Sequence, residues 1–341
     1  MTTEPKTPTP MVFVGGTGRS GTHIMAELLD HHSTLYSVPI ECRFHCNPKG
    51  LADVVTGRAT PQDFLTKLRG YWWHRVRVGD RAFVRLKWRA RFRRVDSEVR
   101  ARGLHKIVPR ERFEAAAARF EEATAGLRPP VAGEEPDPRL VAACRRIYLD
   151  LLAPLAEEAG KQGLVEMSCF TIASAPGLQK IFPEALFIHS VRDGRDSGSS
   201  KVSLREKPHH PTDQLSGIEW WEGRLRLAEE GTRGMADRSK LHIVCLDELV
   251  WGDRDASYEG VLRFLGIEDE PAMRAFFDAE MNATNAHRER WRNGLDEAGQ
   301  RRVVERYEAA LERLERENYS VAPVLRRNYE RGARLAASGQ G

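Results

Sequence analysis

The sequence predicts an α/β fold in which a central parallel sheet of about four or five strands is flanked by helices. Short apolar runs at residues 11–14, 185–191 and 241–246 have the length and composition of buried strands. Segments with helical spacing of apolar residues separate these runs, and this alternation is typical of a parallel sheet covered on both faces. A glycine-rich turn directly after the first run supports the same fold class, because such turns connect a strand to a helix.

The first predicted strand leads into a turn that contains four glycines, Gly15, Gly16, Gly18 and Gly21. Apolar residues at helical spacing follow at positions 24–29. A strand, a glycine-rich turn and a helix together form a phosphate cradle, since small residues let backbone N–H groups and a helix N-terminus approach an anion. A tightly packed turn without a ligand is the alternative interpretation.

Two positions in this turn argue against an ordinary nucleoside-triphosphate site. Gly16 and Gly21 match the frame GxxxxGK[ST], but Thr22 stands at the lysine position and His23 at the position of the Mg²⁺-binding hydroxyl. The loop carries its positive charge on Arg19 instead. The sequence therefore predicts a phosphate-binding loop that does not carry out MgATP chemistry.

Polar residues follow directly after the carboxyl ends of two further predicted strands. The second apolar run is followed at once by RDGRDSGSSK, residues 192–201, which is rich in arginine and hydroxyl groups. An alternating pattern over residues 36–40 is followed by Glu41, Arg43 and His45. Because ligands bind at the carboxyl ends of strands in open α/β sheets, both segments are candidate binding sites.

We predict one domain over residues 11–325, preceded by a disordered tail at 1–10 and followed by a C-terminal tail at 326–341. A largely helical insert is expected over about residues 55–160. Within it, residues 70–95 interleave tryptophans with arginines, a pattern that could bind nucleic acid. We favour an amphipathic segment with solvated arginines, or a lining for an anionic or aromatic acceptor.

Net charge, apolar runs and the spacing of cysteines argue against several classes of protein. The chain has 341 residues, 30% of them charged, and its formal net charge of +4 is too small to argue for nucleic acid. The polar, proline-rich N-terminus lacks the apolar stretch of a signal peptide, and no apolar run is long enough to span a membrane, so we expect a cytoplasmic protein. The five cysteines are scattered, and the spacing of Cys42, His45 and Cys46 matches no zinc pattern, so neither disulfides nor a metal is expected.

The segments GGTGRSGTH, residues 15–23, and VRDGRDSGSSK, residues 191–201, resemble the sulfotransferases that use 3′-phosphoadenosine 5′-phosphosulfate. The resemblance spans residues 11–50 and 163–320 and is closest to the tyrosylprotein branch and its bacterial relatives, as in KIFPEALFIHSVRDGRDS. It implies transfer of a sulfuryl group to a hydroxyl, with 3′-phosphoadenosine 5′-phosphate as product. The helical insert lies outside the resemblance.

The resemblance implies nucleotide-binding roles for residues of three segments. Arg192 and Ser200 match the pair that grips the 3′-phosphate, although a salt bridge to Asp193 or Asp196 and a helix cap are their alternatives. A late basic loop matches the segment that closes on the nucleotide and comprises Arg290, Trp291 and Arg292. The glycine-rich turn would wrap the 5′-phosphosulfate through Gly18, Arg19, Ser20, Gly21, Thr22 and His23.

Glu41 matches the catalytic glutamate of the tyrosylprotein branch, so we expect it to act as general base, with Arg19 as the second catalytic residue. A general base is needed because an acceptor hydroxyl is a poor nucleophile at neutral pH. A structural salt bridge from Glu41 to Arg43 or Arg19 is the alternative, and His45 is the rival base.

One departure from the family pattern concerns the cation that assists the leaving group. Met167 stands where the tyrosylprotein branch has a lysine, and Arg19, Arg43 or Lys201 could replace it. This methionine supports a degenerate nucleotide-binding module as an alternative function; a P-loop kinase is a second alternative, against which Thr22 and His23 argue. We expect a small-molecule hydroxyl acceptor, a metabolite or a saccharide, and no nucleic-acid partner; a homodimer is left open.

Overall fold

The computed structural model describes residues 9–74, 103–131, 133–204, 210–285 and 288–337. Its sheet contains β1 (Met11–Gly16), β2 (Leu35–Ser37), β3 (Gly163–Met167), β4 (Leu186–Val191) and β5 (Leu241–Cys245), in the order β2-β3-β1-β4-β5. β2 pairs in parallel with β3, from Leu35 opposite Gly163, and β4 pairs in parallel with β5, from Phe187 opposite Leu241. The predicted fold class, a central parallel sheet flanked by helices, is confirmed.

Helices connect and flank the strands throughout the described residues. Short 3₁₀ turns lie at Leu104–Lys106, Ile172–Ser174, Arg238–Lys240 and Arg290–Arg292, and a π-helical turn lies at Leu68–Trp72. The α-helices are α1 (Thr22–Asp30), α2 (Leu51–Val55), α3 (Pro61–Lys67), α4 (Arg110–Ala123), α5 (Pro138–Glu158), α6 (Ala175–Ile181), α7 (Gly194–Val202), α8 (Gln214–Arg233), α9 (Leu246–Val250), α10 (Arg254–Leu265), α11 (Pro271–Glu280), α12 (Glu297–Arg316) and α13 (Ala322–Ala337).

Local sequence explains several helix boundaries. At the start of α3, the Thr60 hydroxyl accepts from the Asp63 N–H while the Asp63 carboxylate accepts from the Thr60 N–H, a capping box with proline at the first helical position. Asp213 and Ser216 form the same motif at the start of α8. α10 ends at Gly266 in the left-handed region, where glycine has no steric penalty.

The chain divides into two compact units. The first unit comprises residues 1–13 and 33–186, and the second comprises residues 14–32 and 187–341. Among the described helices of both units, none combines the length and the apolarity that a membrane crossing requires. The single domain over residues 11–325 stays a prediction, and most of the predicted N-terminal tail lies outside the described residues.

The first unit contains the predicted helical insert. Its described part is helical, and α5 buries a long apolar face that includes Ile147, Tyr148 and Leu151. Tyr148 packs against Phe13 and Phe182 with ring centroids 5.8 and 4.9 Å apart. In the segment 70–95, in which tryptophans and arginines are interleaved, residues 75–95 lie outside the described residues.

The second unit has a separate aromatic core. Trp221, Trp291 and Tyr307 are fully buried there, together with Leu311 of α12. α13 occupies most of the segment that was expected to be a C-terminal tail, and its Leu325 belongs to the same core.

Candidate active site

The glycine-rich turn lies in the second unit between the end of β1 and the start of α1. A Cβ atom at Gly16 would lie 2.3 Å from the carbonyl oxygen of Ser190 on β4, so only glycine permits this close approach of the backbone. Gly21, the residue before α1, has φ +85°, and Arg19 has φ +61°. These constraints give the turn a fixed path that ends at a helix N-terminus, as an anion-binding turn requires.

The side chains of this turn face different environments. Gly18, Ser20 and Thr22 are buried, whereas Arg19 and His23 are exposed. The Ser20 hydroxyl has no hydrogen-bond partner among the described residues. A buried hydroxyl without a partner is costly, so this group is available to a bound anion.

Arg19 reaches Ser200 on α7, where its Nε donates to the hydroxyl at 2.8 Å. The structure therefore brings together two side chains that the sequence assigned to opposite ends of a nucleotide. A phosphate at either position would compete with this hydrogen bond.

Arg192 directly follows β4 and is only 9% exposed. Its Nε lies 3.9 Å from Oδ1 of Asp247, which follows β5. Of the two partners considered from sequence, Asp193 accepts a hydrogen bond from Arg195 Nη2 at 2.7 Å, and Asp196 is attracted electrostatically to Arg192. A guanidinium held at the carboxyl ends of two adjacent strands is well placed to bind an anion.

Two buried carboxyl groups near Arg192 have shifted pKa values. Burial, with repulsion from Asp193 and Asp247, raises the pKa of Asp196 to about 7, although attraction to Arg192 opposes the shift. Burial also raises the pKa of Asp247, again against the attraction of Arg192. Asp196 is therefore only partly ionised at neutral pH, which reduces the negative charge around Arg192.

The late basic loop contacts the same region. Asp196 accepts a hydrogen bond from the Glu289 N–H at 3.0 Å, which fixes the loop at its start. Trp291 is fully buried, and the Arg195 guanidinium lies 5.0 Å from the centroid of its ring. Arg290 is exposed, whereas Arg292 donates to the side chain of Gln300 at 2.8 Å. Trp291 thus anchors the loop in the core, and Arg290 is left facing outward.

The candidate base lies in the first unit, in the loop after β2. Glu41 is 9% exposed. Its Oε2 is ion-paired with the Arg43 guanidinium, and its Oε1 accepts from the Cys169 thiol at 3.3 Å. The salt bridge to Arg43, which was the structural alternative to a catalytic role, is therefore present, and the carboxylate has partners on both oxygens.

His45 is unsuited to act as a base. Its ring is fully buried, and Nε2 lies 2.9 Å from the Glu166 carboxylate, which is also fully buried. Burial alone would lower the pKa of His45, but Cys46 and Glu166 together raise it to about 10. The imidazolium therefore keeps its proton at neutral pH and cannot take the proton of the acceptor hydroxyl.

No three histidine, cysteine, aspartate or glutamate side chains in the described ranges are arranged to hold a metal ion. The second unit presents cationic and hydroxyl groups at its glycine-rich turn, and the first unit contains the Glu41 carboxylate.

Comparisons with known proteins identify the family of this chain. A family model described as "Sulfotransferase family" matches residues 10–271. The chain belongs to the sulfotransferase family. No curated protein sequence matches it significantly.

Several solved sulfotransferase structures are similar to this chain. The sulfotransferase domain from the Synechococcus PCC 7002 olefin synthase is 17% identical, with a TM-score of 0.44 over 91% of this chain and 97% of that one. The sulfotransferase domain from the curacin biosynthetic pathway is 13% identical, with a TM-score of 0.41 over 79% and 77%. Sulfotransferase STF1 from Mycobacterium tuberculosis is 14% identical, with a TM-score of 0.41 over 89% and 77%. At these scores the likeness is loose, and family membership rests on the sequence match.

Three residues of this sulfotransferase that hold predicted site residues in place were not themselves predicted from the sequence. Glu166 and Ser168 support the Glu41 loop, and Asp247 contacts Arg192. Each lies at or just after the end of a strand, and Glu166 is a charged residue within a buried strand, which is a recognisable signal. Met167, at the family's lysine position, is 4% exposed.

Proposed function

We propose that this sulfotransferase moves a sulfuryl group from 3′-phosphoadenosine 5′-phosphosulfate to a hydroxyl of a small metabolite or saccharide. The observation that carries the proposal is the arrangement in the second unit. Arg19 of the glycine-rich turn donates to Ser200, and Arg192 is held at the end of β4, immediately before the helix that carries Ser200. The glycine-rich turn, the end of β4 and the helix that follows thus each supply a cationic or hydroxyl group, as binding a nucleotide with separate anionic groups would require.

The residues present fit such a nucleotide. Gly16 and Gly21 let the backbone adopt a path that residues with side chains would obstruct, and the buried Ser20 hydroxyl lacks a partner among the described residues. Thr22 and His23 replace the lysine and the hydroxyl with which a P-loop kinase handles a γ-phosphate and its Mg²⁺. We therefore propose a donor site that needs no metal.

Each segment has a distinct role in the proposal. The turn from Gly18 to His23 binds the 5′-phosphosulfate, and Arg19 neutralises the charge that develops there. Arg192 and Ser200 bind the 3′-phosphate. The loop Arg290–Arg292 closes on the nucleotide through the exposed Arg290, while buried Trp291 holds the loop to the core. When bound, the nucleotide supplies the sulfuryl group.

Glu41 is the proposed general base, which takes the proton of the acceptor hydroxyl as the new S–O bond forms. Its orientation by Arg43 and Cys169, and the burial of His45 in an ion pair, favour Glu41 over the histidine. Sulfuryl transfer resembles phosphoryl transfer, in which catalysis depends mainly on positioning and on stabilisation of charge.

A non-catalytic nucleotide-binding module is the second candidate, favoured by buried Met167 at the lysine position. Arg19, Arg43 and Lys201 are the cations that could replace this lysine in an active enzyme. Arg43 is the one whose ion pair with Glu41 connects it to the proposed base.

A screen of hydroxylated acceptors with isotopically labelled donor tests the proposal, with products detected by mass spectrometry. We expect labelled sulfate esters of small molecules that require wild-type protein and persist in the presence of a metal chelator. Nucleotide binding without any sulfated product across the screen would favour the non-catalytic module, and Mg²⁺-dependent ATP hydrolysis would favour the kinase.

A further inference from the structure

The loop that carries Glu41 is held to the end of β3 by two backbone hydrogen bonds. The Cys42 N–H donates to Glu166 Oε1 at 3.0 Å, and the Arg43 N–H donates to the Ser168 hydroxyl at 3.2 Å. The Ser168 hydroxyl in turn donates to Glu166 Oε1 at 2.8 Å. The two residues directly after Glu41 are thus fixed by one connected group of acceptors.

Glu166 is the centre of this group and is fully buried. A buried carboxylate is strongly unfavourable unless it is paired and fully hydrogen-bonded. Its Oε2 lies 2.9 Å from the imidazole of His45, which belongs to the same loop as Glu41. The loop is therefore attached to Glu166 at two points, through its backbone at Cys42 and through the side chain of His45.

Aromatic packing restricts His45 as well. Its ring stacks on Phe13 at a centroid distance of 5.4 Å and meets the edge of Tyr148 at 5.8 Å. Arg43, between the two attachments, has φ +61°, a conformation that a non-glycine residue adopts only when its surroundings impose it. The surrounding contacts thus define one backbone path for the segment that presents Glu41.

We propose that Glu166, His45 and Ser168 form a positioning cluster that orients Glu41 for proton transfer. The inference rests on the proposed function, because it assumes that Glu41 is the base. None of the three contacts the acceptor in this account: Ser168 and Glu166 hold the backbone, and His45 supplies the charge that makes buried Glu166 stable. The cluster is a set of positioning residues, and its effect on turnover passes through Glu41.

The test uses Ser168→Ala, which removes the acceptor for the Arg43 N–H while leaving the carboxylate base intact. Loss of one hydrogen bond near the base should lower kcat by about tenfold and leave nucleotide affinity unchanged. Amide hydrogen exchange at Cys42 and Arg43 should accelerate. Thr124→Val is the matched control, because it also removes a buried hydroxyl hydrogen bond in the first unit, 2.8 Å to the Phe120 carbonyl.

The decisive measurement repeats Ser168→Ala in a Glu41→Gln background. If the cluster acts through Glu41, the second substitution should cause no further loss of turnover. A full tenfold loss in that background, or a loss equal to that of Thr124→Val in the wild-type background, overturns the inference. Should Ser168→Ala fail to fold, Ser168→Cys serves in its place, because the thiol fills the position of the hydroxyl and is a weaker acceptor for the Arg43 N–H.

The same data separate the inference from the proposed function. Normal turnover in Glu41→Gln alone would overturn the assignment of the base, and the positioning cluster with it. A large loss of turnover in Glu41→Gln, together with normal turnover in Ser168→Ala, would overturn the positioning cluster alone.

Discussion

In the first unit, Glu166 and His45 form a fully buried pair of opposite charges, whereas in the second unit three buried aspartates lie around two arginines. The first arrangement is balanced: one carboxylate faces one imidazolium at 2.9 Å. The second has an excess of carboxyl groups, and the pKa of Asp196 rises to about 7 in consequence of burial and of repulsion by its neighbours.

The difference separates two uses of buried charge. The balanced pair holds a loop in one conformation, and its histidine does not titrate near neutral pH. The aspartates around Arg192 hold a cation where an anion is proposed to bind, and one of them changes charge near neutrality. Substitution of Glu41, in the loop that the balanced pair holds, should therefore alter turnover, whereas substitution of Arg192 should alter nucleotide affinity.

The largest expected effect is that of Glu41→Gln on turnover. The substitution keeps the shape of the side chain and removes its basicity, so kcat should fall by about 10²–10⁴-fold, the usual contribution of a general base. Nucleotide affinity should change little. Steady-state kinetics and titration calorimetry check the two parts, with Glu135→Gln as a control for an exposed glutamate in the same unit. A loss of nucleotide binding would show instead that Glu41 only orients the arginines.

Arg192→Ala should have the complementary effect. Removing a charge-assisted contact to phosphate should weaken binding of 3′-phosphoadenosine 5′-phosphate by about 2–4 kcal/mol. Calorimetry of the variant provides the measurement. Arg263→Ala removes an exposed arginine from the second unit and should bind normally. Equal affinities for the two variants would remove Arg192 from the site.

The buried pair predicts a dependence of stability on alkaline pH. The pKa of His45 is about 10 in the folded protein and near 6.5 in the unfolded chain, so the folded state holds one more proton between these values. The stabilisation is complete below pH 6.5 and is lost as the pH rises through 10. Between pH 6.5 and 10, the free energy of unfolding of the wild type should fall more steeply than that of His45→Gln, by on the order of 1 kcal/mol per pH unit. Parallel curves in urea unfolding would contradict the ion pair.

Asp196 should produce a smaller effect at lower pH. Its pKa is raised from 3.8 to about 7, so the folded state holds the extra proton between these values and stability falls as the pH rises through them. Asp196→Asn should flatten this part of the curve. The flattening is partial, since burial also raises the pKa of Asp247, which contributes to the same part of the curve. An unchanged slope in the variant would show that Asp196 is ionised throughout.

The succession of strands and helices along the chain could be predicted from the sequence, because apolar runs and helical periodicity are local signals. The runs at residues 11–14 and 185–191 became β1 and β4, and the glycine-rich turn lies where it was expected. The sequence did not predict the helix at Ala322–Ala337, which is arginine-rich and buries one face in the second unit.

The candidate site was predictable only in part. Glycines, arginines and Glu41 could be assigned from motifs. Their hydrogen-bonding partners could not be assigned, because Glu166 and Arg19 each bind a residue more than a hundred positions away in the chain. The burial of Trp291 also depends on tertiary packing, and local sequence had suggested only a basic loop.

Calorimetric titration of the wild type with 3′-phosphoadenosine 5′-phosphate and with adenosine 5′-phosphate tests the central claim most directly. The two ligands differ only in the 3′-phosphate, which we propose to bind Arg192 and Ser200. Charge-assisted hydrogen bonds of about 1.5–3 kcal/mol predict that the 3′-phosphorylated nucleotide binds at least about tenfold more tightly. The same preference should disappear in Arg192→Ala. Equal affinity of the wild type for the two nucleotides would contradict the claim.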